Sequence, residues 1–189
     1  MKRIVIFASG EGSNAENIIR YFLNNSELGF PFVICNRPDA GVHERMKHLS
    51  VPCYVFKRND FESGAVLKFL RENEIDFLVL AGFLLKIPDN LVKAYPGRII
   101  NIHPALLPKF GGKGMYGSHV HEAVVASGEK ESGITIHYVN ENYDEGGIIF
   151  QAHCPVLPSD SPDDVAAKVH ALEYLHFPRV VGEIAFLSF

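Results

Sequence analysis

The sequence predicts an α/β fold: an open, mostly parallel twisted sheet with helices on both faces and an antiparallel extension near the C-terminus. Three observations carry this. Short apolar, β-rich runs alternate with segments of helical period as far as Pro104, the connections between them are short, and beyond Pro104 two strand-like runs follow each other with little between them. Strand-helix alternation of this kind calls for parallel pairing through right-handed crossovers.

RIVIFAS at 3–9 is a continuous apolar run and reads as a buried first strand. Residues 15–25 follow with helical period, Ile18, Ile19, Phe22 and Leu23 making one apolar face. FPFVICN at 30–36 is the next strand, with a helix at 41–50 after it, and a third strand at 52–56 leads into a helix at 65–73. FLVLAGF at 77–83 is as apolar as a central strand buried on both faces should be. A short helix at 89–95 precedes the strand at 98–103, which Pro104 ends by withholding a backbone donor. A loop rich in Gly, Pro and Lys at 104–118, a helix at 121–127 and strands at 132–140 and 147–157 complete the sheet. Ser161 then caps a last helix, with Pro162 in its first position and Asp163 and Asp164 in its first turn; Val165, Val169, Leu172, His176 and Val180 recur at helical spacing. No repeat, low-complexity stretch or linker divides residues 1–189, so the chain reads as a single domain.

Composition narrows the function classes. Of 189 residues, 47% are hydrophobic and 21% charged, an ordinary globular balance, and the formal charge of -4 argues against a general nucleic-acid binder. Cys35, Cys53 and Cys154 are far apart and odd in number, which suits a reducing compartment. The N-terminal apolar run is too short for a signal peptide and no stretch approaches membrane-spanning length, so a cytoplasmic protein without membrane contact is expected.

Three motifs bear chemistry. In Ser9-Gly10-Glu11-Gly12-Ser13-Asn14, between a strand and a helix, glycines let backbone amides turn toward a ligand and the helix N-terminus favours an anion, with Ser13 and Asn14 adding donors. A monophosphate suits this loop; a capped tight turn is the plainer reading. The dinucleotide fingerprint fits less well, because Ala15 stands near its third glycine and Asn36-Arg37 where an acid is wanted. In IINIHP, Asn101 and His103 share one strand face, where an amide and an imidazole can hold a developing oxyanion; two polar residues turning to water at a strand end is the alternative. In Asp144-Glu145-Gly146-Gly147, acid beside glycine is ordinary hairpin chemistry, yet a carboxylate reaching His103 would orient and protonate it. His119 and His121 are badly spaced for a metal and read as surface or loop residues. His137 alternates with Thr135 and either faces the site or is structural; Glu173 on the last helix is an exposed acid by default; Ser13 lacks a base partner and a serine-hydrolase elbow.

The order of these segments is more specific than any one of them. SGEGSN, LAGFLLKIP at 80–88, NIHPALLPKF at 101–110, GITIHYVNENYDEGG at 133–147 and Glu173 together resemble the folate-dependent formyltransferase family over nearly the whole chain, and G-x-G-S-N narrows this to its glycinamide ribonucleotide branch. The resemblance implies a Rossmann-like formyltransferase fold and transfer of a formyl group from 10-formyltetrahydrofolate, a reduced-folate co-substrate, to the amine of 5'-phosphoribosylglycinamide in de novo purine biosynthesis. It implies that Gly12, Ser13 and Asn14 bind the substrate phosphate and that Glu173 contacts the glycinamide substrate. Leu84, Leu85, Lys86 and Ile87 would line the folate pocket, and the backbone from Asn140 to Asp144 would contact the pterin. Asn101, His103 and Asp144 match the catalytic trio: Asn101 and protonated His103 would stabilise a tetrahedral intermediate, with Asp144 assisting and no metal required.

The chain departs from the family at Gly64, where some relatives carry a basic residue near the folate tail, at Leu85, where some have Arg, and at His170, where some have Lys or Gln. The loop at 111–117 is longer than usual and glycine-rich, which suggests a mobile lid; Lys113 within it reads as an exposed loop lysine. The rivals are a 10-formyltetrahydrofolate hydrolase, which usually carries an extra N-terminal domain where this chain starts its first strand, transformylases of initiator tRNA or nucleotide sugars, which generally lack G-x-G-S-N, a noncatalytic phosphosugar-binding module, and a dinucleotide dehydrogenase. A monomer or homodimer is expected.

Overall fold

The structure is a computed structural model and describes residues 1–142 and 144–187. Its elements in chain order are β1 (Lys2–Ala8), α1 (Ser13–Tyr21), β2 (Leu28–Gly29), β3 (Val33–Cys35), α2 (Val42–His48), β4 (Cys53–Val55), α3 (Arg58–Glu62), α4 (Ala65–Glu72), β5 (Phe77–Leu80), α5 (Asp89–Ala94), β6 (Ile99–His103), α6 (Ser118–Ala126), β7 (Glu131–Tyr138), β8 (Ile148–Pro155) and α7 (Pro162–Leu187). One sheet runs β4-β3-β1-β5-β6-β7-β8, with β2 paired to the start of β1. Pairing is parallel from β4 to β6, and β7 and β8 are antiparallel, as the change of rhythm after Pro104 predicts.

Strand alternation divides the core in two. Ile4, Ile6 and Ala8 of β1 face one apolar cluster with α1, α2, α6 and α7, whereas Val5 and Phe7 face another built from α3, α4 and α5. Both faces of the parallel strands are therefore covered, which explains their unbroken apolar runs. The chain winds outward from β1 to β4 and returns on the other side through β5, so the topological switch lies between β1 and β5. Ligands bind such sheets at the carboxyl ends of the strands beside that switch.

Several boundaries differ from expectation. The run at 30–36 pairs only over β3, because Pro31 has no N–H for a ladder; the short β2 and α3 have too few apolar residues for their period to show. α1 ends at Tyr21, so Leu23 is exposed while Ile18, Ile19 and Phe22 are buried. β5 stops at Leu80 because the chain turns through Gly82 at φ +72°. The expected cap of α7 is present: the Asp164 N–H donates to Ser161 Oγ at 3.2 Å and the Ser161 N–H to the Asp164 carboxylate at 2.8 Å.

Candidate active site

The glycine loop places α1 by close approach. Gly12 has φ +73°, and a Cβ there would sit 2.5 Å from a Val42 methyl of α2, so both backbone and packing demand glycine. α1 begins without a side-chain cap, leaving its first amides open toward the carboxyl end of β1. Asn14 reaches across to α7, its Nδ2 donating to Glu173 Oε2 at 2.8 Å, and His170 Nδ1 lies 3.2 Å from the same oxygen. That contact with Glu173 raises the His170 imidazole above its ordinary value, although burial opposes it.

On β6 the two-residue period holds. Asn101 pairs with His137 of β7 and His103 with Thr135, all four on one sheet face. The Tyr138 carbonyl accepts from His137 Nδ1 at 2.8 Å, which leaves Nε2 to accept from Asn101 Nδ2 at 3.1 Å and keeps the second amide hydrogen free. His137 thus faces the site and orients Asn101. Thr135 is fully buried and ties down the turn after the strand: its Oγ1 donates to the Ala105 carbonyl at 2.7 Å and accepts from the Leu107 N–H at 3.0 Å and Gln151 Nε2 at 2.9 Å.

Asp144 is carried back over β6 by the turn between β7 and β8. A Cβ at Gly146 would lie 1.7 Å from the Tyr138 carbonyl oxygen, so this glycine is what lets the turn fold onto β7. Asp144 Oδ2 accepts from the Gly112 N–H at 2.9 Å and lies 3.6 Å from His103 Nδ1; its Oδ1 is 3.6 Å from His137 Nε2. Burial pushes the Asp144 carboxyl up, but the positive charge that His137 and His103 can take up beside it and the Gly112 N–H hold it below its usual value, so it is a carboxylate.

His103 departs from expectation. Its Nε2 donates to the Phe110 carbonyl at 2.7 Å, and Asp144 stands beyond hydrogen-bond length from Nδ1. Burial pushes the ring below its ordinary value, outweighing the upward pull of Asp144 and the Phe110 carbonyl. Near pH 7 the resting His103 is therefore neutral, not protonated, because desolvation of a buried imidazolium costs more than one carboxylate at this distance returns.

These groups line two adjoining hollows. A cavity of about 590 Å³ is bounded by Asn14, His103, His121, Asp144, Glu173 and the 112–117 loop. A cleft of about 80 Å³ is lined by Leu85, Lys86, Ile87, Asn140 and His137. Phe83, Asn101 and Asp144 line both, so the hollows meet at these residues. Of the residues expected at the folate pocket, Leu85, Lys86 and Ile87 line the cleft and Leu84 lines the larger cavity, its N–H donating to Ser9 Oγ at 2.8 Å. Gly12 and Ser13 stand at the helix start behind Asn14 without lining the cavity. Within the 140–144 segment, Tyr143 lies outside the described residues.

Two residues escaped sequence reasoning. His121 is buried rather than on the surface, whereas its neighbour His119 is exposed as expected. Arg45 of α2 donates to the Glu11 carbonyl at 2.7 Å and pairs with Glu16 at 2.6 Å, tying α2 to the glycine loop and to α1. The apolar neighbours Val120 and Val124 gave a signal for His121; Arg45 gave none.

A β-sheet switch point with an amide, an imidazole and a carboxylate gathered where two hollows meet defines a group-transfer site. The formyl transferase family model matches residues 2–181, and the chain belongs to that family. It is 35% identical to the phosphoribosylglycinamide formyltransferase of Bacillus subtilis over 100% of this chain and 97% of the relative. It is 40% identical to the chloroplastic phosphoribosylglycinamide formyltransferase of Arabidopsis thaliana over 97% of this chain, and spans 65% of that relative's length. The solved phosphoribosylglycinamide formyltransferase of Streptococcus pneumoniae superposes with a TM-score of 0.85 at 39% identity, covering 97% of this chain and 99% of that one. That of Anaplasma phagocytophilum gives 0.88 at 34% identity, with 97% and 86% covered.

Proposed function

We propose that this protein transfers the formyl group of 10-formyltetrahydrofolate to the amine of 5'-phosphoribosylglycinamide, a step of purine biosynthesis. The observation that carries this reading is the junction: Asn101 and Asp144 belong to both hollows, so two substrates entering separately meet there. The larger cavity, with Asn14 of the first turn of α1 at one end and Glu173 along its wall, suits the phosphorylated acceptor. The smaller cleft, with Leu85, Lys86, Ile87 and Asn140, suits the folate donor.

The amine lone pair attacks the formyl carbon and the carbonyl π pair moves onto oxygen. The free hydrogen of Asn101 Nδ2 donates to that oxyanion. Neutral His103 takes the proton released by the amine on Nδ1, and the imidazolium so formed is stabilised by Asp144 at 3.6 Å. Collapse expels the folate nitrogen, which recovers the proton. A resting neutral His103 is therefore an advantage, since it begins the cycle as a base. The chain's own groups hold the charge, and no step calls for a metal. We take the single-domain organisation over 1–189, the cytoplasmic location and the monomeric or dimeric state to accompany this role.

The test is formyl transfer followed by folate absorbance with and without the ribonucleotide. Turnover that requires the ribonucleotide is the expected result. Equal turnover without it would make the protein a hydrolase, and none in either case would leave a phosphosugar-binding module.

A further inference from the structure

His121 is an unusual residue to find on the buried side of α6. It lies beside Val120 and Val124 on the helix face turned inward and is only 8% exposed, yet it also lines the larger cavity. Its Nδ1 is buried with no hydrogen-bond partner among the described residues. An unmatched buried polar atom costs about 1–3 kcal/mol, so a site that retains one has a use for it when filled. A second such atom, Asn14 Oδ1, belongs to another residue lining this cavity, and one hydrogen of the Asn14 amide is already given to Glu173. Glu173 and His103 both lie close enough for their charges to act on the His121 ring.

The chemistry of this wall selects its guest. Asn14 Oδ1 and the Glu173 carboxylate only accept hydrogen bonds, so they call for donors. An ionised phosphate has none to give, whereas a sugar hydroxyl both donates and accepts. A hydroxyl donating to Glu173 keeps lone pairs for an imidazole N–H, and a neutral histidine can place its proton on Nδ1 to meet them. Burial lowers the His121 imidazole below its ordinary value, which keeps it neutral beside His103 when that ring takes up the amine proton.

We infer that His121 is a positioning residue for the acceptor, its Nδ1 hydrogen-bonding a ribose hydroxyl between the phosphate end of the cavity and His103. This rests on the formyl-transfer reading. With the ribose held from Asn14, Glu173 and His121, the glycinamide arm extends toward the junction in one direction only, so the amine is delivered to the formyl carbon rather than left to rotate.

The experiment uses the full chain and compares His121→Ala, His121→Asn and His121→Gln with wild type. An Asn side chain places a polar atom near the position of Nδ1, and Gln places one near Nε2. Loss of the bond should raise the acceptor KM about tenfold in the Ala and Gln variants, leave the donor KM within about twofold, and be largely restored by Asn. An acceptor lacking a ribose hydroxyl should cost wild type about tenfold more than it costs His121→Ala at one of the two hydroxyl positions, since the bond to Glu173 is lost from both proteins alike and only the bond to His121 is lost from wild type alone. A purely structural His121 would lower the melting temperature and disturb both KM values together, with Asn and Gln behaving alike; that pattern, or no change in acceptor KM, overturns the inference. Should the Ala variant fail to fold, the contrast between Asn and Gln still decides it. Absence of ribonucleotide-dependent turnover in wild type would instead remove the formyl-transfer reading, and this inference with it.

Discussion

Replacing Asp144 with Asn isolates the charge of the carboxylate from its shape. The amide keeps the volume and can still accept the Gly112 N–H, now made at 2.9 Å, so the turn should stay in place. What disappears is the negative charge 3.6 Å from His103 Nδ1. At an effective dielectric constant of about 20, a full imidazolium and carboxylate at that distance attract by about 4–5 kcal/mol. Solvation of the carboxylate already offsets part of this, since burial opposes its ionised form. Taking about 3–4 kcal/mol as the surviving share, and tenfold per 1.36 kcal/mol, kcat should fall by roughly two to three orders of magnitude. Both KM values should change little, because the charge matters once His103 has taken the proton rather than when substrates bind. The assay is steady-state formyl transfer at saturating donor and acceptor, with thermal unfolding as the control for folding. A folded Asp144→Asn protein within about fivefold of wild-type kcat would refute the reasoning, since an interaction worth under 1 kcal/mol cannot be the one that stabilises the imidazolium.

Thr135→Val removes the hydroxyl that serves Ala105, Leu107 and Gln151 while keeping the side-chain volume; orphaning the Ala105 carbonyl and the Leu107 N–H should cost about 2–4 kcal/mol, read as a lower urea midpoint at unchanged slope. A loss below 1 kcal/mol would mean the turn after Pro104 is held by something else. Gly146→Ala cannot seat its methyl against the Tyr138 carbonyl, so the turn must lift and take Asp144 with it; activity should drop as in Asp144→Asn, with about 1–3 kcal/mol of stability lost, and a fully active variant would contradict the close approach. Acid should destabilise the fold in two stages. His103 and His121 have folded values depressed by burial, so their contribution is complete above the unfolded value near 6.5 and is lost as pH falls through and below it. Asp144, also depressed, adds a loss below its unfolded value near 3.8, whereas His170 is raised and acts in the opposite sense, its contribution fading as pH rises above 6.5. Urea unfolding at pH 7.5 and pH 5.5 should therefore show lower stability at the acid value for these histidines; a rise on acidification would show that His170 outweighs them.

The parts of this protein that depend on neighbouring residues were legible from its sequence. Apolar runs and helical spacing are local patterns, and they reveal the parallel sheet, its antiparallel end and the Ser161 cap without reference to anything distant. The shared face of Asn101 and His103 follows from strand period alone, and Pro104 marks the strand end by its own missing N–H. Helices and strands of very few residues, such as α3 and β2, lack enough positions for a period to declare itself. Tertiary structure decided what depends on segments brought together from afar. Asp144 meets Gly112 and approaches His103 only because Gly146 lets a turn close against β7. His121 points inward because α6 packs against α7 with Val124 in the core beside Ile102, a rotation at which Val120 and Val124 hint but which their sequence alone does not fix. The protonation of His103 was decided at the same level. A carboxylate nearby argues for the charged ring and burial argues against it, and only the distance to one and the depth of the other, both set by packing, determine which prevails.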